Sequence, residues 1–465
     1  MQPPFVKKFD FRGIYNKDIT DQDAFYLGLA IQKTLPLKKL LIGWDTRVSS
    51  KNLAMNFMQS FHGTGIEISY LDTCPIDYVT AGAHAFDFDF SVMFTGSHNP
   101  WDWTGLLMHT KGGVSVAGEL VIAIVEQYNK SLQQTYLAPD IHLSDFENFQ
   151  TPLEEAYKKK IQSLIPLEKI RPLNVLVDIG DGSGSKSLSV LEELLPQVRF
   201  HRLNDRKVYD NNSSHTADPS NIENMQDVIT AIKKDTYDCG FAFDSDADRV
   251  LAVDETGEYI NGSLLGSAMI VSFSNLQRHT NIYGYAVECG PAMYNTVIDI
   301  NKVEHSSVSA VPVPVGRSIL RQLIREDAID MGVENVGHFY MKDFFMTDSG
   351  AFSLVVILYW ISLFGPLSSL PKKHLDGFRT QFTLPAASNQ EESLDALTES
   401  INPKFFEMKN KKIEIDGIRY EFFEGDYIQT WYAMRPSGYE KIEKYYFGSL
   451  DEMDYQYLQR KIRKE

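Results

Sequence analysis

The chain has 465 residues, room for about three domains, and its 43% hydrophobic and 23% charged residues are ordinary for a water-exposed fold. With 45 basic against 62 acidic residues the formal charge is −17, which excludes general binding to a phosphodiester backbone but leaves room for a small anion among focused arginines. Cys74, Cys239 and Cys289 match no metal-ligand spacing and read as reduced, buried thiols of a cytoplasmic protein.

In chain order, MQPPFVKKFDFRG reaches charge too early for a signal peptide. KKLLIGWDTR (38–47) reads as a strand ending in a polar loop, NLAMNFMQSFHGTG (52–65) as a helix closed by glycine, and IEISYLD (66–72) as the next strand. FDFSVMFTGSHNP (88–100) repeats the strand-then-loop arrangement. A second unit opens with RPLNVLVDIGDGSGSKSLSVLEELL (171–195) and continues into YDCGFAFDSDADRVLAVDETGEYING (237–262); a third opens with TNIYGYAVECG (280–290). Alternating strands and helices predict α/β layers, with ligands gathering at loops after strand C-terminal ends. The uncharged stretch from Ser349 to Pro371 has a strongly apolar part, Phe352 to Phe364, of only 13 residues. A membrane span needs about 20, so a buried helix and no membrane contact are expected. After Pro371 the pattern loosens through SNQEESLDALTES into short alternating runs, predicting a C-terminal α+β domain from about residue 372.

Four places carry chemistry. TGSHNP (95–100) holds one hydroxyl, Ser97, at the tip of a loop beside His98; a serine needs help from its surroundings to act as a nucleophile. The competing reading is a plain turn in which Ser97 and Asn99 bond the backbone. DSDADR (244–249) alternates Asp244, Asp246 and Asp248 with small residues, so an extended loop points three carboxylates one way. Such a set calls for a hard cation such as Mg²⁺, with Arg249 as a nearby phosphate fork; a solvated acidic turn is the alternative. Arg12, Arg47, Arg317 and Arg435 sit in polar loops, where each alone reads as a salt-bridge partner, although RPSG suits a phosphate clamp. VENVGHFYMKDFFMTDSG (333–350) places Glu334 and His338 in a Gly-flanked loop.

Together these sites resemble the α-D-phosphohexomutase superfamily along nearly the whole chain, most of all its bacterial phosphomannomutase/phosphoglucomutase branch. FDFRG stands for the family's N-terminal Arg-Gly, TGSHNP for its TASHNP-type phosphoserine loop and DSDADR for its DGDADR-type metal loop. VENVGH…TDSG stands for its GEMSGH-type sugar loop, RPSGYEK for its RPSGTEP-like phosphate loop, and HTADPSNIENM (215–225) for the link between the first two loops. The resemblance implies α/β architecture: three consecutive α/β domains with mixed sheets plus a smaller C-terminal α+β domain around a central cleft. Their boundaries would be 1–148 (phosphoserine), 149–254 (metal), 255–371 (sugar recognition) and 372–465 (phosphate binding). It implies an intramolecular phosphotransferase that interconverts hexose 6-phosphate and hexose 1-phosphate, of mannose and/or glucose, through a phosphoserine and a bound 1,6-bisphosphate. Ser97, His98, Arg12, Arg249 and His338 would be catalytic, and Glu334, Arg317, Arg435, Ser437 and Gly438 would bind substrate. Ser97, Asp244, Asp246 and Asp248 would hold Mg²⁺. Hexose 1,6-bisphosphate would serve as activator and intermediate, and the only partner implied beyond the phosphosugar is a second copy at most, the protein being a monomer or dimer.

The departures cluster near the chemistry. Leu107 stands where the family has an active-site lysine, with Lys111 four residues on; Val333 and Val336 replace a glycine and a serine of the sugar loop; PVGR places Arg317 where Thr-Gly-His is usual; Tyr439 replaces a clamp threonine. An active mutase with an adjusted sugar pocket and a catalytically impaired homologue that binds a sugar phosphate or a protein partner are both carried forward.

Overall fold

The structure, a computed structural model, describes residues 3–7, 10–134, 136, 139–277, 281–304, 307–385, 405, 407–436 and 442–463. It divides into two compact units, Met1–Tyr259 with Met341–Leu363, and Ile260–Tyr340 with Phe364–Glu465.

The first unit contains two sheets. In one, Lys39–Trp44 lies between the parallel strands Glu67–Thr73 and Phe90–Phe94, and Trp103–Thr110 and Phe11–Ile14 extend the sheet in antiparallel fashion. Phe90–Phe94 is buried along its whole length, which is why FSVMF lacks a regular polar alternation. Helix Asp21–Thr34 opens on a reciprocal cap between Thr20 and Asp23 and packs beside helix Val48–Gln59. That second helix, expected over 52–65, begins as soon as the strand's loop ends at Arg47 and stops before Gly63 and Gly65, whose positive φ of 73° and 75° belongs to a turn. In the other sheet, Leu173–Asp178 is the middle strand, parallel to Val198–Leu203 on one side and Cys239–Phe243 on the other; Val250–Asp254 adds an antiparallel strand. Helix Gly350–Phe364 is buried from Gly350 to Ile361, and its Phe352 ring stacks on Phe344 at 4.2 Å. The uncharged segment is thus a core helix, and among the described residues no helix is long and apolar enough to cross a membrane.

In the second unit, Ile282–Ala286 is the middle strand, parallel to Ser309–Val313 on one side and Met331–Val333 on the other. The C-terminal region is a five-stranded antiparallel sheet in the order Phe378–Pro385, Ile442–Ser449, Tyr427–Pro436, Ile418–Glu424, Lys409–Glu414, with helix Glu452–Arg463 against it. Its core gathers Phe405, Tyr420, Phe422, Tyr432, Phe447 and Leu458. Arg419, fully buried, ties this region to the turn after strand Ile282–Ala286, donating to the carbonyls of Val287 (2.9 Å) and Cys289 (2.7 Å), and also donates to Glu421 (2.7 Å). The run SNQEESLDALTES lies outside the described residues.

Candidate active site

Ser97 follows the buried strand Phe90–Phe94 and adopts a left-handed backbone, φ 48°. That conformation costs a non-glycine residue about 1–2 kcal/mol and persists only where its surroundings hold it. The hold is visible. The Ser97 N–H donates to the Thr95 hydroxyl (2.8 Å), and the Ser97 carbonyl accepts from Arg47 Nη2 (2.8 Å) and from the Ser245 hydroxyl (2.5 Å). Ser97 Oγ lies 3.2 Å from His98 Nδ1, and Arg249 Nη2 donates to the same nitrogen at 2.9 Å. A guanidinium is donor only, so His98 Nδ1 is an acceptor here and the Ser97 hydroxyl points its proton at it. Arg249 also pairs with Asp218 (3.4 Å) and Asp244 (3.6 Å).

The DSDADR loop follows strand Cys239–Phe243. Asp244, Asp246 and Asp248 are completely buried, and one oxygen of each can meet the others within 4.8 Å. Asp246 is tied to the serine loop through the Thr95 hydroxyl (2.9 Å). Asp244 Oδ2 and Asp246 Oδ1 receive no hydrogen bond. Burial, and then the charge of Asp246, push the Asp244 carboxyl well above the ordinary carboxylate range against the pull of Arg249. Buried, mutually repelling oxygens without donors fit a hard divalent cation. A second cluster, Asp178, His215 and Asp227, fits one poorly. His215 Nδ1 faces the Thr216 carbonyl (2.9 Å), and Nε2 is already engaged by Asp178 (3.0 Å) and the Asn204 amide nitrogen (3.2 Å), so both ring nitrogens have protein partners in place of a metal. Burial opposes the imidazolium charge, but the Asp178 contact outweighs it and raises His215 to about 9.

In the second unit, Glu334 and His338 close one tight loop after strand Met331–Val333: Glu334 N–H donates to the His338 carbonyl (3.0 Å) and Gly337 turns the chain at φ 100°. The Glu334 carboxylate accepts from the Gly316 N–H (2.7 Å) and the Tyr340 hydroxyl (3.1 Å), which brings the PVGR loop carrying Arg317 against the ENVGH loop. His338 stacks on Tyr340 at 5.7 Å. Arg435 is engaged by Asp416 through Nε (3.0 Å) and Nη2 (2.9 Å), with Glu288 at 3.9 Å; burial disfavours its charge, but these two carboxylates more than compensate. Ser437, Gly438 and Tyr439 lie outside the described residues.

Arg12 lies on an outer strand opposite Gly105, whose carbonyl accepts from the Thr95 N–H (3.1 Å), and pairs with Asp10 at 2.8 Å. Lys111 cannot stand in for the missing lysine. In the register of Trp103–Thr110, Leu106 faces Phe94 beside the serine loop while Thr110 faces Phe90 at the far end, and Lys111 pairs there with Asp87 (2.5 Å) on the surface. Sequence reasoning undervalued Arg47, taken alone as a surface salt-bridge partner, and passed over Asp45, Thr95, Ser245, Asp218, Glu288 and Asp416. The available signal was position: GWDTR follows the middle strand of its sheet, where open α/β sheets collect function.

Three family models match in succession, those of phosphoglucomutase/phosphomannomutase alpha/beta/alpha domains I, II and III, over residues 5–135, 155–257 and 268–378. Among curated proteins, the chain is 28% identical to a phosphoglucomutase of Neisseria gonorrhoeae over 443 residues, covering 90% of this chain and 88% of the relative. It is 27% identical to a phosphomannomutase of Methanocaldococcus jannaschii over 355 residues, 76% of this chain and 75% of the relative. A crystal structure of a phosphoglucomutase/phosphomannomutase family protein from Burkholderia thailandensis superposes with a TM-score of 0.78 at 20% identity, covering 100% of this chain and 97% of that one. With the three domain matches in order and relatives aligned along most of its length, the chain belongs to the α-D-phosphohexomutase superfamily and is an enzyme of the phosphohexomutase type.

Proposed function

We propose that the protein interconverts hexose 6-phosphate and hexose 1-phosphate, of glucose and/or mannose, through phosphoserine at Ser97. The observation that carries this reading is the serine itself: a single hydroxyl presented by a strained backbone that Thr95, Arg47 and Ser245 hold by hydrogen bonds, tied through Thr95 to a trio of buried aspartates. In the forward direction phosphoserine loses its phosphoryl group to O1 of the bound hexose 6-phosphate. The P–O bond to Ser97 breaks, a P–O bond to the sugar forms, and the proton of the sugar hydroxyl passes to the Ser97 oxygen that the phosphoryl group leaves. The resulting 1,6-bisphosphate turns over and returns the O6 phosphoryl group to Ser97, leaving hexose 1-phosphate.

Asp244, Asp246, Asp248 and Ser97 would hold Mg²⁺, which when bound neutralises charge on the moving phosphoryl group. Arg249 spreads positive charge to the same place and, through its bond to Nδ1, fixes the His98 ring beside the Ser97 hydroxyl. Arg12 flanks the loop from the neighbouring strand. Glu334 reads sugar hydroxyls, Arg317 and His338 contact the ligand from the adjoining loops, and Arg435 with Ser437 and Gly438 clamps the phosphate that stays behind. The four segments 1–148, 149–254, 255–371 and 372–465 divide these tasks. Three buried free thiols accord with a cytoplasmic setting.

A second reading, a catalytically impaired homologue that binds a sugar phosphate or a protein partner, is favoured by two observations: Lys111, the lysine nearest in sequence to Leu107, is paired with Asp87, and Arg435 already has carboxylate partners. Intact-mass spectrometry decides between them. Incubation with glucose 1,6-bisphosphate and Mg²⁺ should add one phosphoryl group that is absent in Ser97→Ala. Absence of any gain under every metal condition rejects the mutase reading.

A further inference from the structure

We propose that Arg47 is a positioning residue for the phosphoryl-carrying serine, setting the Ser97 backbone and locking the serine loop to the aspartate loop. This rests on the phosphoserine reading above. Arg47 is 1% exposed, an unusual place for a guanidinium, and nearly all of its polar reach is spent on these two loops. Nη2 donates to the carbonyls of Ser97 (2.8 Å) and Asn99 (2.7 Å), so it grips the turn on both sides of His98. Nη1 donates to Ser245 Oγ (2.9 Å), which donates in turn to the same Ser97 carbonyl (2.5 Å). The two loops therefore share one carbonyl, held by one donor from each side.

The guanidinium is itself held. Asp45 pairs with Nη1 and also accepts from the Gly96 N–H (3.1 Å), so the counter-ion belongs to the same clasp. The Tyr209 ring covers the guanidinium carbon at 4.6 Å, and the Tyr209 hydroxyl reaches the Asn99 carbonyl (3.5 Å). A planar fork sandwiched in this way holds several acceptors in fixed directions. A lysine ammonium, a single point charge, cannot reproduce that. The left-handed φ of Ser97 is then a consequence of the clasp, because both peptide groups that set it are restrained.

The test uses the full chain, with Arg47→Lys to keep the charge and lose the fork, and Ser245→Ala to remove the second donor on the Ser97 carbonyl. Phosphoryl incorporation from glucose 1,6-bisphosphate is followed by intact mass over time, per folded molecule. Arg47→Lys should lower the maximal rate about 100-fold, as small misplacements of a reacting group do, with half-saturating bisphosphate shifted less than about twofold. Ser245→Ala should cost about tenfold, and the double variant less than the product of the two. A loss explained entirely by fewer folded molecules, or one confined to half-saturation with the maximal rate intact, overturns the proposal. Amide hydrogen exchange without any phosphoryl donor separates this inference from the reading beneath it. Arg47→Lys should speed exchange at residues 96–99 and leave strands Lys39–Trp44 and Phe90–Phe94 unchanged. Faster exchange at 96–99 together with a wild-type protein that takes no phosphoryl group keeps the positioning role and rejects the phosphoserine reading; unchanged exchange at 96–99 rejects the positioning role.

Discussion

A Cβ on Gly96 would meet the Arg47 guanidinium carbon at 2.6 Å and press on the Trp103 carbonyl. Gly96→Ala should therefore displace the serine loop, lowering phosphoryl incorporation at least tenfold while the far-UV spectrum stays unchanged; wild-type incorporation would show that the loop yields without consequence. Asp416 offers the opposite sign. It occupies two nitrogens of Arg435 and adds a negative charge where a phosphate would bind. Asp416→Asn should lower KM for a sugar phosphate several-fold, measured by initial rates; a raised KM would mean that Asp416 orients the arginine more than it competes. At this scale the sequence discloses what is contiguous. TGSHNP and DSDADR each show their chemistry in six residues, whereas Arg47 acquires its meaning from Ser97, 50 residues away, and Ser245, 198 away. Taken alone, an arginine in a polar loop is most often a surface ion-pair partner, and only the fold shows that this one is buried.

The element that braces the aspartate loop is helix Gly350–Phe364 with the TDSG turn before it. Gly350 N–H donates to the Ala247 carbonyl (3.1 Å), and Ser349 shares hydrogen bonds with Tyr157, whose hydroxyl donates to Asp77 at 2.5 Å. Burial drives Asp77 up to about 7, with the Ser349 and Tyr157 bonds pulling the other way. Its folded value therefore exceeds its unfolded one, and the folded state keeps a proton that the unfolded chain releases. Stability from this group is full below about pH 4, falls as pH rises toward 7 and is flat beyond. Asp77→Asn should remove that slope. The variant should gain on wild type by a few kcal/mol between pH 5 and pH 8, read from denaturant unfolding at both values. Equal slopes in the two proteins would place the proton elsewhere. The helix itself was legible, since a charge-free run too short for a membrane leaves a core position as the physical option. Helix Val48–Gln59 was misjudged at both ends, because the glycines at 63 and 65 signal a stop without saying how many residues earlier the helix ends.

Across the molecule one arrangement occurs three times. Lys39–Trp44, Leu173–Asp178 and Ile282–Ala286 are each the middle strand of three parallel ones, with the second strand on one side and the third on the other. Each third strand ends in a candidate loop: TGSHNP after Phe90–Phe94, DSDADR after Cys239–Phe243, ENVGH after Met331–Val333. Each middle strand ends in a supporting loop, with Asp45 and Arg47 in the first, Ser183 in the second, whose N–H donates to the Ser245 carbonyl (2.9 Å), and Glu288 in the third. The strand order reverses at the middle strand, which opens the crevice where such sheets bind ligands. The repeat is nearly silent in the sequence because its rule is topological: each loop carries different residues, while the strands need only be apolar. The architecture locates the proposed cation wholly in the first unit. Mg²⁺ at a hundred times its Kd should then stabilise that unit by about 2.7 kcal/mol, seen as a chelator-reversible rise in its calorimetric transition. Asp246→Asn should abolish the rise, because it removes one of the three buried ligand charges. A Mg²⁺ response that survives this change would move the cation away from the DSDADR loop, and with it the partner that the three buried carboxylates require.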